Sequence, residues 1–247
     1  VKIIVVSDIH LDVVTMGVPR FAEVEAAVWK SVSAAIERKV DLYIFLGDLT
    51  DPDSGGATFR AQALSIRVAR KLQEHGISSF WVAGNHDTAE DSSGATTLTP
   101  LAALDDRDPE KKLVLPGIFV FEKPQVQHFG GYAFLVLPFT PASHGVDLNE
   151  FIERMWPTGE HVVVLSHLSV PGVTPGEETK ELPRGREVAY PFEATKNAYM
   201  RIQGHYHRRQ DFDPQDGGPP IIIPGSLARL TFGEEEHAPS YLYVELP

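Results

Sequence analysis

"ISSFWVAGNHD", residues 77–87, is an apolar run that ends abruptly in an amide, an imidazole and a carboxylate. An apolar stretch of this length, rich in aromatic and β-branched residues and closed by glycine, has the pattern of a buried strand. A turn accounts for Gly84-Asn85, but it gains nothing from His86 and Asp87 directly after it. Toward the N-terminus the same pattern occurs twice more, in "KIIVVS" (2–7) and "DLYIFLGD" (41–48). Between these runs, apolar residues recur at helical spacing over 21–39 (Val24, Ala27, Val28, Ser31, Val32, Ala35, Ile36), and a second helix fits 57–75. Gly76 falls where a helix C-cap is expected. This β-α-β-α-β order predicts parallel strands joined by helical crossovers.

Toward the C-terminus the pattern changes. Residues 113–137 read as short strands broken at Pro116-Gly117, Lys123-Pro124 and Gly130-Gly131, which predicts an antiparallel meander or hairpins. A brief helix (147–156) precedes "HVVVLSH" (161–167), another buried strand with a polar end. Residues 171–197 are loop-like, and strands are expected near 198–203, 208–213, 219–223 and 240–245. With no internal repeat, low-complexity tract or linker in sight, one α/β domain over 1–247 is the simplest reading.

Composition is that of a globular protein, 43% hydrophobic and 23% charged, which argues against disordered and fibrous classes. No apolar run approaches the roughly 20 residues that span a bilayer. The opening strand lacks the marks of a signal peptide. The absence of cysteine removes disulfides and thiolate metal sites, and a cytoplasmic location is expected. The formal charge of −12 argues against coating nucleic acid by phosphate neutralisation alone. It leaves open an enzyme for phosphates, because bound divalent cations add charge that the formal count omits.

Five predicted strands end alike: Ser7-Asp8-Ile9-His10, Gly47-Asp48-Leu49-Thr50-Asp51, Gly84-Asn85-His86-Asp87, Ser166-His167 and Gly204-His205-Tyr206-His207. Ligands of open α/β sheets bind at the carboxyl ends of strands. Two of the motifs alone have a plain explanation, Asp-x-His as a solvated rim and Gly-Asp-x-x-Asp as a turn with Asp51 as an N-cap, whereas Gly-Asn-His-Asp and Gly-His-x-His are more specific. Five in order, each after a strand, argue for a site. The mixed nitrogen and oxygen donors suit manganese, iron, zinc or cobalt better than calcium or magnesium. They are too many for one tetrahedral zinc, whereas two ions sharing a carboxylate account for the number.

In this order the motifs resemble those of the calcineurin-like metallophosphoesterases; the fourth block departs only in reading Ser166-His167 where the family has Gly-His. The resemblance implies a four-layer αββα sandwich with two mixed β-sheets flanked by helices. It also implies two divalent metal ions, manganese first and iron, zinc or cobalt as alternatives. Asp8, His10 and His207 would hold one ion, Asn85, His167 and His205 the other, with Asp48 bridging. His86 would serve as general acid toward the leaving oxygen and Asp87 would orient it. Asn85 would also help stabilise the phosphate oxygens, and Asp51 would be a supporting group. The implied reaction is in-line attack on phosphorus by a metal-bridging hydroxide.

Three stretches are similar to SbcD-type DNA double-strand-break repair nucleases: "GISSFWVAGNHD" (76–87), "VVVLSHLSVPGV" (162–173) and "IIIPGSLARLTFGEEEHAPSYLYVEL" (221–246). That similarity implies a manganese-dependent DNA exonuclease and endonuclease whose partner is an ABC-type ATPase. The capping domain and ATPase-docking segment of such proteins are not recognisable here. The basic residues Lys180, Arg184, Arg186, Lys196, Arg201, Arg208 and Arg209 gather around the last two motifs, interleaved with Glu177, Glu178, Glu181, Glu187 and Glu193. They fit a polyanion site and a solvated mixed-charge loop equally well. Tyr190, Phe192 and Tyr206 can stack on bases or pack in the core. His75, His128, His144, His161 and His237 lack a motif. A small-molecule phosphodiesterase or phosphatase is the competing enzyme. A non-catalytic scaffold is the third reading, and it would require lost ligands or a lost His86.

Overall fold

The first strand, β1 (Lys2–Val6), shows how the layers arise. Ile4 and Val6 join one apolar cluster and Ile3 and Val5 another, as the two-residue repeat of a strand requires. The split recurs in β4 (Leu42–Leu46), where Tyr43 and Phe45 face the first cluster and Leu42, Ile44 and Leu46 the second. The computed structural model describes residues 1–50, 55–89, 95–105, 116–174 and 188–247.

Two mixed sheets result. The first runs β13 (Leu242–Glu245), β1, β4, β5 (Ser78–Val82), β6 (Ile118–Phe121), parallel throughout except for β13 against β1. The second runs β11 (Gln210–Phe212), β12 (Ile221–Ile223), β10 (Met200–Gln203), β9 (Val162–Ser166), β8 (Tyr132–Leu137), β7 (Gln125–Phe129), antiparallel only at its two edges. A short ribbon of β2 (Val14–Thr15) and β3 (Val18–Pro19) stands apart.

Helices cover the outer faces. The crossovers of the first sheet are α1 (Phe21–Arg38) and α2 (Gly55–Glu74), and α1 buries the stripe Val24, Val28, Ser31, Val32 and Ala35. A single turn, α3 (Thr99–Ala102), precedes β6. On the far side, α4 (Leu148–Met155) buries Leu148 and Ile152 against the second sheet, and Asp147 caps it by accepting from the Asn149 and Glu150 amides. The short α5 (Phe192–Thr195) lies within the stretch read as loop. The order is therefore helix, sheet, sheet, helix, the sandwich that the motifs led us to expect. Among the described residues no helix is long and apolar enough to cross a membrane.

The meander expected over 113–137 is only half present. β7 and β8 form a hairpin across Gly130-Gly131, but β6 pairs parallel with β5 in the other sheet. The break at Lys123-Pro124 is where the chain crosses between sheets. The alternation in β6 could not reveal this, because a strand reads the same whichever sheet it joins. Between the sheets, Phe80 stands edge-on to Phe121 of its own sheet at 5.2 Å and to Phe134 of the other at 5.4 Å. Such pairs add about 0.5–1.5 kcal/mol each beyond burial, and here they help fix how the two sets of strand ends meet.

Candidate metal centre

β1, β4 and β5 of one sheet and β9 and β10 of the other all deliver their C-terminal ends to one place. The approach is close enough to exclude side chains. A Cβ on Gly204, after β10, would lie 2.3 Å from the Leu46 carbonyl oxygen at the end of β4. A Cβ on Gly84, after β5, would lie 2.2 Å from Asp48 Oδ1. The glycines before the polar residues are thus demanded by space.

The residues that follow are held in an uncommon backbone conformation. Asp8, His10, Asp48 and His205 have φ values of 51°, 43°, 60° and 76°. Non-glycine residues in this region cost of order 1–3 kcal/mol each and persist where the surroundings over-determine them, which is common at functional sites. Among the described residues the other such positions are Met16, Lys39 and Gln215. The strain therefore concentrates on the residues that the motifs singled out.

Their side chains converge in two groups around Asp48, and His86 lies close enough to His10 and Asp48 to make a third. In the first, His10 Nε2 and His207 Nε2 are 3.2 Å apart, with Asp8 alongside. In the second, Asn85 Oδ1 lies 2.9 Å from His205 Nδ1 and 3.2 Å from His167 Nε2. Asp48 Oδ2 stands between them, 3.6 Å from His10 Nε2 and 3.2 Å from His167 Nε2. Two donors each about 2.0–2.2 Å from one ion, at near right or tetrahedral angles, are about 2.8–3.6 Å apart. The observed separations match that spacing.

Two observations of the side chains test whether cations belong here. Asp8 is completely buried, yet neither of its oxygens has a hydrogen-bond partner of normal geometry among the described residues; the Ser7 hydroxyl is near enough to favour its charge weakly but points its hydrogen bond at the Leu46 carbonyl. A buried, unsatisfied carboxylate is costly unless a cation meets it. Second, His167 Nδ1 donates to the Leu46 carbonyl at 2.7 Å, since a carbonyl only accepts. With Nδ1 so held, Nε2 is the nitrogen that faces the oxygens of Asp48 and Asn85. Either a proton or a metal ion must stand among these three atoms, and the donor set as a whole fits two divalent ions.

The electrostatics agree. Burial would lower the pKa of His167, but Asp48 outweighs it and raises it to about 9, so that a proton stands where a metal ion would. For Asp48, burial is outweighed by His167, His86 and His10, and its carboxyl lies well below the usual range. Burial raises Asp8, and Asp48 adds to the effect. His10 is pushed well below the ordinary imidazole value and His205 down to about 3, in both cases chiefly by burial. Rings that shed their protons so readily are ready ligands.

His86 is half-buried. Its ring meets the His10 ring edge-on at 4.7 Å, and its backbone amide donates to Asp48 Oδ1 at 2.9 Å. Asp87, which the motif led us to expect behind that ring, accepts hydrogen bonds from four other donors. Its Oδ2 accepts from the amides of Asp48 and Gly84, and its Oδ1 from the Leu49 amide and the Thr97 hydroxyl. All its acceptor capacity is used in pinning the loop after β5 to the loop after β4. Asp51, Lys180, Arg184, Arg186 and Glu177, Glu178, Glu181 and Glu187 lie outside the described residues.

Several other expectations shift. Arg201 is fully buried and paired in bidentate fashion with Asp216, at 2.5 and 3.0 Å, so it offers nothing to a polyanion. Lys196 and Arg209 are paired with Glu193 and Asp211. Tyr190 and Tyr206 are core residues, and the Tyr206 hydroxyl accepts from the Val170 amide. Ser166, the departure from the family pattern, donates its hydroxyl to Gln203 on the neighbouring strand, which accommodates both buried polar groups. A residue within the quoted stretch 221–246, to which the sequence reading assigns no role, joins the site: Glu234 accepts a 2.7 Å hydrogen bond from His207 Nδ1.

Comparison with known proteins gives a consistent picture. The family model described as calcineurin-like phosphoesterase matches residues 1–209. A curated relative, the DNA double-strand break repair protein Mre11 of Sulfurisphaera tokodaii, is 27% identical over 201 residues, which is 79% of this chain and 45% of that protein. The uncharacterized metallophosphoesterase YhaO of Bacillus subtilis is 32% identical over 90 residues, 33% of this chain and 22% of that protein. The chain thus matches less than half the length of these relatives. Among solved structures, a dimetal phosphatase from Danio rerio superposes with a TM-score of 0.57 at 13% identity, covering 92% of this chain and 87% of that one. A purple acid phosphatase from yellow lupin gives 0.55 at 13% identity, covering 90% and 43%. At these identities the structural likeness shows the fold.

Proposed function

The chain belongs to the calcineurin-like phosphoesterase family, hydrolases of phosphoester bonds, and from that premise we propose that it is a two-metal DNA nuclease of the SbcD type. The observation that carries the DNA reading is the 27% identity to a double-strand break repair protein over 79% of this chain. The terminal stretch 221–246 adds to it. Its Pro224-Gly225-Ser226 turn packs against the last metal motif, with the Ser226 amide donating to the His207 carbonyl at 2.9 Å, and its Glu234 meets the His207 ring.

In this reading Asp8, His10 and His207 would hold one ion and Asn85, His167 and His205 the other, with Asp48 contributing to both. Bound there, the ions, manganese by preference, would supply Lewis acidity toward phosphate oxygens and a lowered pKa for nearby water. The rest is the work of the protein. Strained backbone and glycine contacts set the donors in place before any ion arrives. His86, beside His10 and less buried than it, hands a proton to the departing oxygen. Asp87 keeps the two loops together so that His86 and Asp48 share one frame. An ABC-type ATPase partner belongs to the same proposal, as does a cytoplasmic location.

A second reading, a phosphodiesterase or phosphatase for small substrates, is favoured by the loss of Arg201, Tyr190 and Tyr206 as DNA contacts. One assay separates the two: manganese-supplemented hydrolysis of linear duplex DNA, single-stranded DNA, bis-p-nitrophenyl phosphate and a 2′,3′-cyclic nucleotide. The nuclease reading predicts cleavage of DNA. Inert DNA beside fast turnover of a small diester would overturn it.

A further inference from the structure

Residues 234–236 are three consecutive glutamates, of which Glu235 and Glu236 are exposed and Glu234 is 2% exposed. Burying a carboxylate is costly unless it is hydrogen-bonded, and Glu234 is bonded at both oxygens. Oε1 accepts from His207 Nδ1 at 2.7 Å and Oε2 from the Leu230 amide at 2.8 Å. With Nδ1 so held, Nε2 of His207 is the nitrogen that faces His10. We infer that Glu234 is a positioning residue that fixes the tautomer and orientation of the His207 ring toward the ion shared with Asp8 and His10. The inference rests on the two-metal reading of the site and adds to it a residue outside the five motifs.

The two halves of the site are then supported differently. His167 is oriented by a main-chain carbonyl at the end of β4, which no substitution removes. His207 is oriented by a side chain on a surface loop. That loop is tied in turn to the ribbon that follows His10, since the Thr15 hydroxyl donates to the Leu230 carbonyl at 2.5 Å and Arg20 to the Arg229 carbonyl at 3.2 Å. Glu234 therefore connects the ion of the Asp8 half to the order of this loop, whereas the His167 half is independent of it. Carboxylates behind a metal-bound imidazole typically matter 10–100-fold for metal affinity.

The test is manganese binding by calorimetry to the wild-type chain, Glu234→Gln and Glu234→Ala, with electron paramagnetic resonance to tell a coupled ion pair from an isolated ion. We expect two ions and a coupled signal for wild type. Glu234→Gln keeps a neutral acceptor for Nδ1–H and should retain both ions, one of them about tenfold weaker. Glu234→Ala should hold one ion with the other weakened about a hundredfold, and show an uncoupled signal. A merely structural role would lower the melting temperature of both variants while leaving stoichiometry and signal intact, and that result overturns the inference. Should the alanine variant fail to fold, wild-type affinity for both ions in Glu234→Gln overturns it equally. Wild-type protein that binds no manganese would overturn the underlying site assignment, a distinct outcome.

Discussion

His167 Nε2 stands 3.2 Å from Asp48 Oδ2, while the opposite nitrogen of the ring donates to the Leu46 carbonyl. Both residues are buried, and without metal the attraction of Asp48 for the imidazolium holds the His167 pKa up at about 9 despite burial. The sign of its pH dependence follows. The folded pKa of about 9 lies above the ordinary 6.5, so the stability from this proton is fully present below pH 6.5 and is lost as pH rises through about 9. Metal-free protein should therefore melt at progressively lower temperature between those pH values. Saturating manganese displaces the proton and should remove the decline, and manganese affinity should rise with pH over the same window. Thermal melts from pH 6 to 9.5 with EDTA and with manganese check both statements.

Gly84 leaves no room for a methyl group, because its Cβ would lie 2.2 Å from Asp48 Oδ1 and 2.4 Å from the Asp48 amide nitrogen. Gly84→Ala should displace Asp48 from both half-sites. Overpacking of this kind costs about 1–3 kcal/mol, so the protein should fold and yet bind manganese poorly. Urea unfolding and a manganese titration on the same preparation make the comparison.

His86→Ala should leave both ions bound and slow turnover. General acid assistance is worth about 10²–10⁴-fold, and the loss should be largest for alkoxide leaving groups. It should be small for p-nitrophenolate, which departs without a proton. Turnover numbers for a phosphodiester of each kind, with bound manganese counted in parallel, separate a proton donor from a ligand; release of an ion from the variant would mean that His86 is a ligand.

Among the described residues Arg201 is the most deeply buried charge outside the metal centre, and its side chain is fully inaccessible beside Asp216. Removing one partner of a buried pair typically costs about 3–5 kcal/mol because the other is left uncompensated. Asp216→Ala should lower the unfolding free energy by about that amount without altering manganese stoichiometry, as measured by denaturant titration.

Much of the fold was legible because buried parallel strands announce themselves as apolar runs, and because each run that feeds the site stops at polar residues. From Asp8 to His207 the motif residues meet in the structure, and the spacing of apolar residues located α1 and α2 within a few residues. What stayed hidden depends on direction and on distant contacts. Asp87 is adjacent in sequence to His86 but faces the amides of Asp48 and Leu49, 38 or more residues earlier. Arg201 looks like surface charge until Asp216 is brought against it. Glu234 lies 27 residues past its imidazole and, followed directly by two exposed glutamates, reads as solvated charge. The crossing of β6 into the first sheet had no local sign, because an apolar strand does not name its partner.

The central claim is that two ions held around Asp48 carry out phosphodiester hydrolysis. Dialysis against graded manganese, with bound metal and bis-p-nitrophenyl phosphate turnover measured on the same samples, tests it most directly. The account predicts two ions per chain, turnover that follows occupancy of the second, and loss of both in Asp48→Ala. Full turnover with a single bound ion, or with Asp48 replaced, would contradict it.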